Sequence, residues 1–546
     1  MGDARTARGH RTGLAHGTLR RLSARLGRER TPAPATCLIV TSRHRLWQRY
    51  GPEGVQAVEQ AVGDLAEAMA GRGLTGTLVY VDDSALLTRL GVLPADPGQA
   101  APVARVIRDL AARLAASGER VRYVLILGGH EVVPFDRPEN PSPDDEDALY
   151  SDHVYAVDAG QPLHPVRAVG RIPDAGLELL LQTIRACAAE HRRRAPGRPP
   201  PASGAVVGYS ASVWKRAARG VFAVLGEPSG LRLSPPLTHA EAPGRQAAGV
   251  ALGYYNLHGL VDSAHWFGQR DPIFAADFEP YPVALRPEDI GPAAGALVFS
   301  EACFGAHLNG RAVHDSIALT GLRAGATAFV GATGVAYGGL DDRLVAADLL
   351  AHRFWEGVLA GLPVGAALAR AKGCLAGEAI ARQGYLDAED EKAIANFVLY
   401  GDPSLHYPTP SRRAEDAARL DWLGGAVESA GPAGMVGIPP ARPRSAAEVP
   451  AERLSAGDTQ ALAAHVRQAV ARQLPEFDAE DVAVALAPAS AGGIAKSGGG
   501  EPSRAADRLI VTLRRSVATS EGSRCQSVLR ATVDPRGHIR KLTLSR

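Results

Sequence analysis

Between residues 36 and 407 the chain alternates between short apolar runs, too brief to be helices, and Ala/Leu-rich stretches with helical spacing. The short runs are C-L-I-V-T (37–41), T-L-V-Y-V (77–81), V-L-I-L (124–127), A-V-V-G-Y (205–209), G-Y-Y-N-L (253–257), A-L-V-F-S (296–300) and A-T-A-F-V-G (326–331). The helical stretches cover 54–72, 101–116, 176–190, 213–225, 316–323, 345–359 and 365–376. Near-continuous apolar strands separated by helices predict an α/β fold, with a mostly parallel sheet covered on both faces. Ligands of such sheets lie just beyond the carboxyl ends of the strands, so chemistry is to be sought in the residues that follow each run.

Composition narrows the functions. A chain of 546 residues has room for two to four domains. Hydrophobic residues at 46% and charged residues at 22% exclude a disordered chain or a coiled-coil rod. Lys+Arg 60 against Asp+Glu 58 leaves a net charge of +2, and no nucleic-acid partner is expected. No run approaches the roughly 18 apolar residues of a membrane span, so no integral membrane association is expected. The Cys residues, 5 in number and scattered, make no disulfide framework and point to a reducing, cytoplasmic location. Without C-x-x-C or H-E-x-x-H a metal site is not expected. Gly128-Gly129 lacks the dinucleotide and Walker patterns, and no cofactor is expected.

Four segments are expected. Residues 1–35 read as a basic flexible leader, with Arg5, Arg8, Arg11, Arg20, Arg21, Arg25, Arg28 and Arg30 opposed only by Asp3 and Glu29. The sheet-forming domain spans 36–408. Residues 409–455, with G-P-A-G-M-V-G-I-P-P-A-R-P-R, read as a Pro/Gly-rich linker. Residues 456–546 read as a small α+β module. It has a helix over 459–474, strands over 509–517, 526–534 and 539–544, a D-P-R-G turn and a low-complexity insert at 488–500. The module carries no catalytic constellation and is a candidate contact for a regulatory partner.

Two strand ends carry the chemistry. Run 253–257 leads straight into His258-Gly259, and run 296–300 into Glu301-Ala302-Cys303. A Cys at a strand end is ordinarily a small buried hydrophobe, and a lone His is no more telling. Placed together after neighbouring parallel strands, an imidazole and a thiol suffice for nucleophilic catalysis. A thiol with a pKa of about 8.5 is largely protonated at neutral pH, and a nearby His can take its proton. Backbone N–H groups at strand-to-loop turns can supply an oxyanion hole, and those of Gly259 and Cys303 are the candidates.

These segments resemble the caspase-like clan of cysteine peptidases, the gingipain-like peptidases and CHAT domains above all. The resemblance covers roughly 121–407. It rests on L-I-L-G-G-H-E-V-V-P-F (125–135), Y-S-D-H-V-Y (150–155), V-G-R-I-P (169–173) and Y-N-L-H-G-L (255–260) with Trp266. F-S-E-A-C-F-G-A (299–306), A-G-A-T-A-F-V-G-A-T (324–333) and L-Y-G-D-P-S-L (399–405) follow in order. It implies a caspase-like α/β/α sandwich and cysteine endopeptidase activity on a protein or peptide substrate. Cys303 would be the nucleophile, His258 the general base, and the N–H groups of Gly259 and Cys303 the oxyanion hole. The chain departs from the gingipain pattern at 208–216, G-Y-S-A-S-V-W-K-R, where no acid stands ready to orient the His. A plain dyad, a carbonyl group or Asp152 are the alternatives. Substrate selectivity is equally open. Asp341-Asp342 would suit a basic side chain, Lys215 or Arg216 an acidic one, and Glu301 and Trp266 are further candidates for the orienter or the pocket. The alternative whole-protein reading is a caspase-like interaction or scaffold protein with little or no peptidase activity.

Overall fold

The apolar runs form strands of one sheet. A computed structural model of the chain describes residues 35–144, 146–194, 205–242, 250–273, 277–407, 449–450, 454–475, 477, 481–487 and 508–546. The first strands are β1 (Ala35–Thr41), β2 (Thr75–Tyr80), β3 (Arg120–Leu127), β4 (Ala168–Ile172), β5 (Ala205–Ala211), β6 (Arg232–Ser234) and β7 (Val250–Asn256). Three short ones follow, β8 (His258–Gly259), β9 (Trp266–Phe267) and β10 (Val283–Leu285), and pair antiparallel as a sheet of their own. Then come β11 (Leu297–Ser300), β12 (Ala328–Ala332), β13 (Tyr337–Gly339) and β14 (Phe397–Gly401). The 10-stranded sheet has the order β2-β1-β3-β4-β14-β12-β11-β7-β5-β6. Its pairs are parallel from β12 through β11 and β7 to β5 and β6, whereas β14 runs antiparallel to β12. Every residue of β12 and β14 is buried, as a sheet with helices on both faces requires.

The helices follow the apolar periodicity, with one instructive difference. The stretch expected at 54–72 belongs to a longer helix, Arg43–Ala70, capped by the Ser42 side chain. Gly51, in a left-handed conformation, and Pro52 kink it, and that punctuation hides its first turns in the sequence. Strands β4, β6 and β14 were not among the expected runs. They are short, and β4 contains Arg171, a fully buried cation that breaks the apolar pattern.

The C-terminal part forms β15 (Val449–Pro450), β16 (Asp481–Leu486), β17 (Leu509–Ala518), β18 (Arg524–Val533) and β19 (Ile539–Ser545), with a helix Ala456–Val470 capped by Ser455 and Asp458. β15 lies inside the stretch read as linker, and β16 was not anticipated. Residues 1–34 of the leader expected over 1–35, most of the linker and the insert at 488–500 lie outside the described residues, and Ala35 already belongs to β1. The sheet order β13-β19-β18-β17-β16-β15 shows that the module does not close on itself, because its outer strand β13 comes from the main body.

A buried ion cluster fixes this junction. Lys541 of β19 lies 2.7 Å from Asp387 and 3.1 Å from Asp390, and Arg530 of β18 lies 3.3 Å from Glu389. These acids cap and open the helix Ala388–Asn396, where the positive end of the helix dipole favours carboxylates.

Candidate active site

β7 and β11 are parallel neighbours in which Tyr255 stands opposite Ser300. Three residues further along each chain lie His258 and Cys303, both buried. The two turns touch through their backbones. A Cβ at Gly259 would overlap the carbonyl oxygen of Cys303 and meet the Ala302 side chain at 3.4 Å, so only glycine fits there.

The imidazole of His258 is packed between Trp214, 4.4 Å away between ring centres, and Tyr281 at 5.5 Å. Its Nε2 lies 2.8 Å from Oε1 of Gln269, just beyond β9. An amide oxygen only accepts, so Nε2 carries the proton and Nδ1 is the basic nitrogen. Burial pushes the imidazole pKa down to about 4, partly offset by the bond it donates to Gln269.

Cys303 Sγ accepts the N–H of Ala336 at 3.2 Å. Burial pushes the thiol up to about 12, against the pull of that N–H. In this state both groups are neutral at physiological pH. The next residue, Phe304, has φ 55°, a left-handed conformation that costs a non-glycine side chain strain. Bonds from Phe304 N–H to Gly334 and from Gly305 N–H to Ala302, each 3.0 Å, hold the turn.

Beside the thiol is an acidic pocket that holds a cation. Glu301 and Asp348 are fully buried, and the guanidinium of Arg546 lies 3.4 Å from the first and 2.5 Å from the second. Tyr254 donates to Glu301 at 2.8 Å and the N–H of Gly339 to Asp348 at 2.6 Å. Burial and the neighbouring Asp348 hold the Glu301 carboxyl well above its usual range, and burial also raises Asp348. Two carboxyls facing one guanidinium therefore keep a proton and leave the cluster nearly neutral. The guanidinium carbon sits 4.3 Å from the centre of the Trp214 ring, so one indole contacts both the imidazole and the cation.

The other residues singled out in the sequence lie elsewhere. Asp152 pairs with Arg171 at 2.6 Å, a cation buried within β4, and Gln269 takes the place expected of an orienting acid. Asp341 and Asp342 are exposed, with Asp341 accepting from the N–H of Arg343. Lys215 pairs with Asp271 at 2.8 Å and Arg216 is exposed. Trp266 is buried opposite Gly259, against Tyr255 and Phe329. His130, after β3, packs on Phe135 and Tyr150. Sequence reasoning missed Gln269, Asp348, Gly338 and Arg546, and read Trp214 only as part of an acid-free stretch. Asp348 left one trace, a lone acid in the apolar helical run A-A-D-L-L. Among the described residues no cluster of His, Cys, Asp and Glu is suited to a metal ion, and no helix is long and apolar enough to cross a membrane.

No protein-family model and no curated protein matches the chain. A solved structure described as "Structure of Protease" aligns with 94% of this chain over 97% of its own length, at 12% identity and a TM-score of 0.44.

Proposed function

We propose that the chain is a caspase-like cysteine endopeptidase in which Cys303 attacks the scissile carbonyl and His258 is the general base. The observation that carries this reading is the shared register of β7 and β11, whose ends bring His258-Gly259 into contact with the Cys303 turn. In attack, the Cys303 Sγ–H proton passes to Nδ1 of His258 as the S–C bond forms. The oxyanion is met by the N–H groups of Gly259 and Cys303. His258 then gives that proton to the departing amine as the C–N bond breaks, leaving a thioester. Water, deprotonated by His258, opens the thioester, the proton returns to sulfur, and the acid product leaves. Gln269 fixes the tautomer that makes Nδ1 the base. Replacing it with Leu should lower kcat about 10–100-fold while KM changes little, an effect to be read from steady-state hydrolysis of a fluorogenic peptide.

The test is labelling of Arg546→Ala, in which the guanidinium no longer fills the cleft, with a mixture of peptidyl acyloxymethyl ketones, followed by peptide mapping. The adduct is expected on Cys303, with labelling at least about tenfold slower in His258→Ala. An adduct spread over several cysteines, or labelling indifferent to His258, would remove the dyad from the account. The scaffold reading draws on the filled cleft and the high thiol pKa. It requires that Cys303 alkylate no faster than a free cysteine even when the cleft is emptied.

The same pKa gives a pH expectation. In the intact chain, iodoacetamide alkylation of Cys303 at pH 7 should be slower than that of free cysteine and still be rising at pH 10, because the thiolate forms only near pH 12. A plateau by pH 8 would show that the thiol is not held neutral.

A further inference from the structure

We infer that the cleft beside Cys303 takes an extended peptide strand bearing Arg before the scissile bond, and that β19 with Arg546 is its built-in, inhibitory occupant. The part about the scissile bond rests on the peptidase reading; the recognition of a strand bearing Arg does not.

The backbone geometry is that of strand addition. β19 lies antiparallel to β13, with Thr543 opposite Gly339, Leu544 opposite Gly338 and Ser545 opposite Tyr337. The ladder continues as Arg546 N–H donates to the Ala336 carbonyl at 2.9 Å, and the N–H of that same Ala336 is the one bonded to Cys303 Sγ. The strand therefore delivers residue 546 to the thiol, with its main chain in hydrogen-bonding reach of Cys303 and His258.

The side chain reads as a recognised group. Arg546 is 2% exposed although it stands at the tip of a strand. Among the described residues its guanidinium is the cation that meets both Glu301 and Asp348. It reaches them across Gly338, where any Cβ would overlap the guanidinium, so β13 is built with a gap at that point. Trp214 supplies a flat face and the two carboxyls an acidic end, which suits the planar Arg fork better than the compact Lys ammonium. An aliphatic or acidic side chain there would leave two buried carboxyls without a cation, a costly arrangement. The residues that recognise the side chain, Glu301, Asp348, Trp214 and Gly338, come from four separate elements at one edge.

The experiment compares the full chain with Arg546→Ala, each with and without Glu301→Gln or Asp348→Asn, and with folding followed by circular dichroism. Peptidyl aminomethylcoumarins with Arg, Lys, Asp or Leu before the fluorophore report cleavage. A labelled octapeptide with the sequence of residues 539–546, and its Arg→Leu version, report binding by anisotropy to Lys541→Met/Arg546→Ala/Cys303→Ala, in which the loss of the Lys541 cluster frees β13 of its own strand. Arg546→Ala should raise cleavage of the Arg substrate at least about tenfold over the full chain, with Lys weaker and Asp and Leu at background. The Arg octapeptide should bind at least about tenfold tighter than the Leu version, and whichever of Glu301→Gln and Asp348→Asn folds should erase that difference. Equal binding of the two octapeptides, or cleavage without Arg preference, overturns the inference and leaves the peptidase reading standing. Selective binding with no cleavage of any substrate sinks the peptidase reading and leaves the Arg-bearing strand site in place.

Discussion

Cys303→Ala is expected to lower peptide hydrolysis at least about a thousandfold when introduced into Arg546→Ala, while the circular dichroism spectrum stays unchanged. The size follows from the role proposed, since without sulfur no thioester forms and only binding and the oxyanion donors remain. The change is not free structurally. Removing Sγ leaves the Ala336 N–H without its acceptor, a loss of about 1–3 kcal/mol for a buried donor. A fall of a few degrees in Tm is therefore compatible with the prediction, whereas hydrolysis at the rate of Arg546→Ala alone would exclude Cys303 as the nucleophile.

Lys541→Met should have the largest effect on stability. The ammonium is buried against Asp387, Glu389 and Asp390, and Met keeps the length but leaves Asp387 and Asp390 without their nearest cation. Breaking a buried pair in this way costs about 3–5 kcal/mol. That loss falls on the docking of β19, so hydrogen exchange in residues 539–546 should rise steeply and cleavage of an Arg substrate should appear in the otherwise full chain. Protection at the wild-type level would refute the role of the cluster. The pH dependence has a definite sign. Burial and the Asp387 charge push Asp390 up to about 7, against the pull of Lys541 and Arg382. A raised carboxyl contributes stability that is fully present below its unfolded value near 4 and is lost as pH rises through 7. Asp387, held below the usual carboxylate range by Lys541, contributes the opposite way and is lost only in strong acid. Docking of β19 should therefore be tighter at pH 5 than at pH 7.5, as exchange rates of its amides can show.

The sheet was legible because its strands are apolar on both faces and its helices keep their period. Adjacent strand ends also exposed His258, Cys303 and Gly259 to a reader of the sequence, since register transmits position along parallel neighbours. The rest of the site was not legible, for a physical reason. Gln269, Asp348 and Arg546 reach it from a loop, a helix start and a distant strand, and nothing in local spacing records which carboxyl a remote guanidinium will meet. Asp152 shows the converse. It looked available only because its partner, Arg171, sat unrecognised inside a short strand.

Because β19 has a hydrogen-bonded neighbour on each side, β18 on one and β13 on the other, it cannot peel away one residue at a time from a free edge. Severing the chain between 408 and 448 would leave both ladders and the Lys541 cluster in place. Freeing the strand site on β13 would then take a competitor that displaces a whole ribbon at once.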